Sequence, residues 1–311
     1  MIYVLLSAWL ITGFIILKEQ RIARLIIYLA IFSLLSSASY LFLASPDVAM
    51  AEAATSAFTT VFFIICFEQY FKRKDELEKT TKQGKKAIKI LIPLTFTLFL
   101  LALFIFVMPS GGSAINLQNL YLSSFSHDVG GENVVTAIYL GYRVYDTLFE
   151  ALILVISVVA VIHMSHIRKM SVRGGKHSEI ERDGMAIFAI RFICPVMLLF
   201  GVYLVLNGHI SPGGGFQGGL AIASFFICRY LIYDIYDLPI KKLGRLEDFV
   251  FVGIVLVAVF IVFMGFADNL PEDIRPMFQT GYMIAMNILI GLKVACGFII
   301  LFYRYIAVER N

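Results

Sequence analysis

The chain has 311 residues, of which 59% are hydrophobic and only 15% charged, with a net charge of +4. A soluble domain carries about 25% charged residues, so an ordinary soluble fold is excluded. The composition describes an all-α polytopic membrane protein, and the small positive balance, held in short loops, calls for no nucleic acid.

About nine spans are expected, each near the ~20 residues that cross a bilayer. They fall at 1–17, 22–44, 47–71, 88–108, 142–164, 188–206, 215–234, 248–267 and 278–303. The first run has no basic leader and no small-residue cleavage site, so no cleavable signal is expected. Basic residues occupy alternate loops: Lys18, Arg21 and Arg24, then Lys72 to Lys89, then Arg168 to Lys176, then Lys241, Lys242 and Arg245, and finally Arg304 and Arg310. The positive-inside rule then puts the N-terminus outside and the C-terminus in the cytoplasm.

Two charged loops divide the chain. The expected parts are 1–71, a linker 72–87, 88–165, a second linker 166–187, and 188–311, with three, two and four spans. The loop 109–135 is the longest on the outer side and is expected to fold over that face. Cys66, Cys194, Cys228 and Cys296 lie singly in apolar runs and read as small buried residues. No resident metal or cofactor is expected. His163 and His166 raise a haem or quinone site as a rival, but they share one helix, whereas a bis-histidine haem usually bridges two.

A charge in mid-membrane costs ~2.5–3.5 kcal/mol by insertion scales, so each such residue needs a partner, water or a role. Asp47 follows Ser45 and Pro46 at the start of span three and reads as a helix cap. Glu52 heads a stripe with Thr55, Ser56, Thr59 and Thr60, and span two carries Ser33, Ser36, Ser37 and Tyr40 at matching spacing. The stripes either face each other and hold water for a proton or ion site, or pack helices through their hydroxyls. Glu68 beside Lys72 reads as a surface pair. Arg143, Asp146 and Glu150 are spaced to share one face, with Arg143 able to neutralise Asp146. Glu150 is less well paired and is either a proton-exchanging group or part of a docking cluster. Lys293 has no acid at i±3 or i±4. Its partner is expected elsewhere, for instance Glu150 or Glu52, or in another subunit.

Residues 207–220 read Asn-Gly-His-Ile-Ser-Pro-Gly-Gly-Gly-Phe-Gln-Gly-Gly-Leu. Neither Walker A nor GxGxxG spacing is present, and both flanks are apolar, so a phosphate loop is excluded. Glycine here serves a shaped turn that opens a closely packed helix. His209 on that turn is either a hydrogen-bonded loop residue or a switch.

This stretch, followed by Asn-Ile-Leu-Ile-Gly-Leu-Lys-Val-Ala-Cys-Gly at 287–297, resembles the B-type subunit of Mrp-type multisubunit Na⁺/H⁺ antiporters, with its GHNxPGGGFxGGL motif and late GLKV helix; Ile210 and Ser211 replace the usual Asn-x. Asn133 to Ile138 and Tyr142 to Glu150 resemble the E-type domain of membrane-bound hydrogenases, where Arg143, Asp146 and Glu150 match. Ser45 to Ala54 resembles the D-type domain, where Asp47 and Glu52 match. The resemblance covers nearly the whole chain, running from D-type through E-type to B-type, and extends to membrane subunits of respiratory complex I. It implies a non-catalytic subunit of a proton- or Na⁺-translocating complex in a prokaryotic plasma membrane. Its implied partners are lipids, a large antiporter-like subunit and a small three-helix subunit. The ion path is expected at Glu52, Asp146, Glu150 and Lys293, with Arg143, Thr55, Ser56 and Thr59 in support. Gly208, His209, Pro212, Gly213, Gly214, Gly215, Phe216, Gly218 and Gly219 are expected to mark the family and pack against a neighbouring subunit. A redox-driven complex with the same module and a purely structural scaffold stand as rivals.

Overall fold

The computed structural model describes residues 2–70, 95, 97–99, 101–102, 117–167, 184–233, 239–265 and 270–307. The expected fourth span, the linker 72–87, most of 166–187, and the side chains of Glu68 and His166 lie outside the described residues. Among the described residues every regular element is helical: α1 (Ile2–Lys18), α2 (Ile22–Phe42), α3 (Pro46–Tyr70), α4 (Leu117–Asp128), α5 (Val134–Ala137), a π-helical turn (Ile138–Tyr142), α6 (Val144–Ile167), α7 (Gly184–Asn207), α8 (Gly215–Tyr233), α9 (Ile240–Phe263) and α10 (Arg275–Ala307). Six helices among the described residues are long and apolar enough to cross a membrane: α2, α3, α6, α7, α9 and α10.

Helix α10 is the axis of the bundle. Its Met283, Met286, Ile300 and Phe302 are fully buried, and α6, α7, α8 and α9 all pack on it. Apolar attraction is weak between helices in lipid, so close packing holds them instead. Small residues supply it. A Cβ on Gly219 would lie 2.5 Å from the Gly291 carbonyl oxygen, and one on Gly218 would lie 2.6 Å from that of Gly201. Helix α8 is thereby pressed between α7 and α10. Helix α3 docks on this core through Phe58, edge-on to Phe298 at 4.7 Å between ring centres.

Helices α1 and α2 extend the bundle to one side. Trp9 stacks on Phe32 at 4.6 Å and donates to Ser36 Oγ at 2.6 Å. Helix α2 meets α3 through Ser37, whose hydroxyl donates to the Ala49 carbonyl at 2.7 Å.

Three elements differ from their sequence expectation. The loop 109–135 contains α4, whose end is pinned over the bundle by Gln279 Nε2 donating to the carbonyls of His127 and Asp128. The fifth span, expected at 142–164, is preceded by α5 and the π turn, and α6 then runs from Val144 to Ile167. The eighth, expected at 248–267, is α9, which starts two turns earlier at Ile240. That shift moves Glu247 out of the expected loop and into the helix.

Candidate functional site

Asn133 organises one end of the bundle. Its Oδ1 caps α5, accepting from Val135 N at 2.9 Å and Thr136 N at 3.4 Å. Its Nδ2 donates to Asp47 Oδ1 at 3.2 Å and to the carbonyls of Gly208 at 3.3 Å and Ser211 at 3.0 Å. Asp47 is buried in the first turn of α3 and also accepts from Gly213 N at 3.1 Å. Its carboxylate thus reaches across to the glycine turn. Gly213 and Gly214 have φ of +144° and +140°, which L side chains rarely adopt. Below them, Asn287 Oδ1 accepts from Gly215 N at 3.1 Å and Tyr139 OH at 3.0 Å.

The space around the glycines expected to pack against a neighbouring subunit is filled by this chain. Gly208, Gly213, Gly214, Gly215, Gly218 and Gly219 are all buried, and a Cβ on Gly215 would meet the Asn287 carbonyl oxygen at 2.6 Å. Pro212 is exposed, His209 and Phe216 are half-buried, and Phe216 lines a cavity. The His209 carbonyl accepts from Glu132 N and Asn133 N at 2.9 and 3.1 Å.

The π turn leaves carbonyls outside the regular helical pattern, and side chains satisfy them. Tyr282 OH donates to Leu140 O and Thr147 Oγ1 to Tyr139 O, each at 2.6 Å. This arrangement sets the direction of α6 and with it the Arg143, Asp146 and Glu150 face. Arg143 and Asp146 form the expected ion pair, and both are exposed. Glu150 is exposed as well and has no ion pair or hydrogen bond among the described residues.

Glu150 stands at the rim of a half-enclosed cavity of about 280 Å³ between α6, α8 and α10. Thr147, Ser157 and Lys293 add the other polar groups, and Leu154, Phe216 and Phe298 are among the apolar ones. Lys293 lies on the inner wall, 1% exposed. Its ion pair is with Glu247 on α9, itself 2% exposed, and its ammonium sits 5.5 Å from the Phe251 ring centre. The acids expected to partner it, Glu150 and Glu52, do not. Glu150 shares only the cavity with it.

Sequence reasoning missed Glu247 because it follows Lys241, Lys242 and Arg245 and precedes Asp248, and so resembles a loop. A usable signal was present. Glu247, Val250, Ile254, Ala258 and Ile261 are the buried face of α9, at helical spacing.

Glu52 lies apart from this cluster. It is half-buried and accepts a hydrogen bond from Ser33 Oγ, so the two stripes do meet there. The hydroxyls of Thr55 and Thr59 instead bond to their own helix, at Ala51 O and Thr55 O, each at 2.8 Å. Thr55 is exposed and Ser56 half-buried. Tyr40 is exposed and Ser36 turns to Trp9. The hydroxyl stripe is therefore largely self-satisfied.

Helices long and apolar enough to cross a membrane, packed around a buried lysine–glutamate pair, define a polytopic all-α membrane protein. Residues 185–300 match a domain related to the MnhB subunit of Na⁺/H⁺ antiporters, and residues 3–71 match the D-type subunit of MBH, the membrane-bound hydrogenase. The chain belongs to the family of Mrp-type antiporter membrane subunits, with an MnhB-related domain and a D-type MBH domain in one polypeptide. An uncharacterized protein of Methanocaldococcus jannaschii is 30% identical over 193 residues, covering 53% of this chain and 73% of its own length. A probable A/B-type subunit of a K(+)/H(+) antiporter from Rhizobium meliloti is 23% identical over 242 residues, covering 69% of this chain and 24% of its own. Among solved structures, a chain of the Mrp complex from Dietzia sp. superimposes with a TM-score of 0.65 at 17% identity, over 95% of this chain and 34% of that one. A chain of the membrane-bound sulfane sulfur reductase, an archaeal respiratory membrane complex, superimposes with a TM-score of 0.56 at 25% identity, over 71% of this chain and 98% of that one. The chain therefore spans about a quarter of the Rhizobium protein and about a third of the Mrp chain.

Proposed function

We propose that the protein is a membrane subunit of a multisubunit cation/proton antiporter module, and that Glu150 is its cation-exchanging group. The observation that carries this reading is the cavity that joins Glu150 to the buried Lys293. A proton or Na⁺ is taken up at Glu150, which has no counter-ion of its own among the described residues. Lys293 biases how firmly it is held, because a fixed charge across a low-dielectric cavity acts over a longer range than in water. Glu247 sets how much of the Lys293 charge Glu150 feels. Glu52, hydrogen-bonded by Ser33, is a second loading group on α3. Asp146, neutralised by Arg143, lies one turn before Glu150 on α6 and supports it.

In this reading the chain comprises a D-type part at 1–71, an E-type part at 88–165 and a B-type part at 188–311. It sits in a prokaryotic plasma membrane, N-terminus outside, beside a large antiporter-like subunit and a small three-helix subunit. Na⁺/H⁺ exchange measured in the assembled complex with Glu52→Ala and Glu150→Ala tests it: loss of exchange is expected, and undiminished exchange in both sinks it. The match to a sulfur reductase chain over nearly its full length supports a second setting, in which electron transfer drives the same module. Co-purification with Fe–S subunits favours that setting, and their absence from an active complex removes it.

A further inference from the structure

The cavity is larger and more apolar than a site for small ions requires. A water needs about 10–15 Å³ of such space, and this chamber offers about 280 Å³. Leu154, Phe216, Ile290, Val294 and Phe298 make much of its wall. Its two charged ends are also unequal. Lys293 on the inner wall is already matched by Glu247. Glu150 on the rim is matched by nothing among the described residues. A single uncompensated carboxylate over an aliphatic and aromatic chamber complements an amphiphile with a positive head and a hydrocarbon tail. Pockets for organic ligands share that pattern of apolar walls with one or two placed polar groups. The chamber is half-enclosed, and the α6 residues that line it lie within that helix's candidate membrane span.

We infer that this cavity binds lipophilic monovalent cations of the alkylammonium class, with Glu150 as counter-ion and the α6–α8–α10 chamber holding the alkyl chain. The inference rests on the reading of Glu150 as the cation-exchanging group, and it makes such compounds competitors of the transported ion. Each buried methylene should raise affinity about fourfold. Hexyltrimethylammonium should therefore bind a hundredfold or more tighter than tetramethylammonium, which carries the same charge and no tail.

Binding of radiolabelled hexyltrimethylammonium to membranes carrying the assembled complex tests this. Saturable binding is expected, poorly displaced by tetramethylammonium and by uncharged 1-hexanol. Glu150→Gln, which keeps the side-chain shape, should weaken it at least tenfold. Ser157→Phe, which narrows the chamber, should do the same, while Glu150→Asp should retain most of it. Equal binding to wild-type and Glu150→Gln membranes would mean partition into the bilayer alone and would overturn the inference, as would affinity independent of chain length. Because binding is read without transport, the two readings fail separately. Saturable, Glu150-dependent binding in a complex that still exchanges ions as Glu150→Gln would sink only the transport role. Lost exchange with no saturable binding would sink only this site.

Discussion

The Lys293–Glu247 pair offers the sharpest test of the structure. Both side chains are nearly inaccessible, 1% and 3% exposed. At 4 Å and an effective dielectric constant of ~20, opposite charges attract by about 4 kcal/mol. Removing one partner leaves the other charge buried and alone, which typically costs about 3–5 kcal/mol. That is roughly a 10²- to 10⁴-fold change in the folding equilibrium. Lys293→Met and Glu247→Gln should each destabilise the chain by that amount. The double variant Glu247→Leu/Lys293→Met removes both charges and keeps the volume, so it should recover most of the loss. Cys296 gives a readout, since it is buried on α10 within one turn of Lys293. With the other three cysteines replaced by alanine, its reaction with a thiol reagent in increasing denaturant follows the opening of α10. If the double variant is as unstable as the sum of the two singles, the residues do not act as a pair and the geometry is refuted. The same double variant separates fold from transport. On the proposed role of Lys293 in biasing Glu150, it should stay folded yet fail to exchange ions.

Two further outcomes follow from the glycine-turn end. Gly219→Ala would put a methyl group 2.5 Å from the Gly291 carbonyl oxygen, where backbone rather than a flexible side chain must yield; a loss of about 1–3 kcal/mol is expected, seen as a lower melting temperature of the complex. Asp47→Ala would strand the Gly213 N–H and one bond of the Asn133 amide, both buried. At about 1–3 kcal/mol per unsatisfied buried group, melting should drop in Asp47→Ala and much less in Asp47→Asn.

The legible parts of this molecule were the exceptions to its apolar background. Lys293 stands out because a lysine in a long apolar run demands an explanation, and Glu150 because its neighbours could not neutralise it. Residues 207–220 stood out through glycines that have no other use beside two spans. What stayed hidden depended on long-range contact or on backbone irregularity. Glu247 sits among other charges, and only its position on the buried face of α9 reveals it. The π turn has no composition of its own; it is held by Tyr282, more than a hundred residues away, and by Thr147. The stripe on α3 misled for a local reason. Thr55 and Thr59 can satisfy their hydroxyls on the preceding turn, an option that helical spacing alone does not disclose.

Asp47, Asn133 and Gly213 meet although they lie far apart along the polypeptide. Carried on one chain, they meet at an effective concentration set by the length of chain between them. Carried on separate chains, the same few hydrogen bonds would form only as two molecules encountered one another. Holding the D-type and MnhB-related domains on one polypeptide therefore fixes their ratio at one to one and makes closure of this junction an event within one molecule.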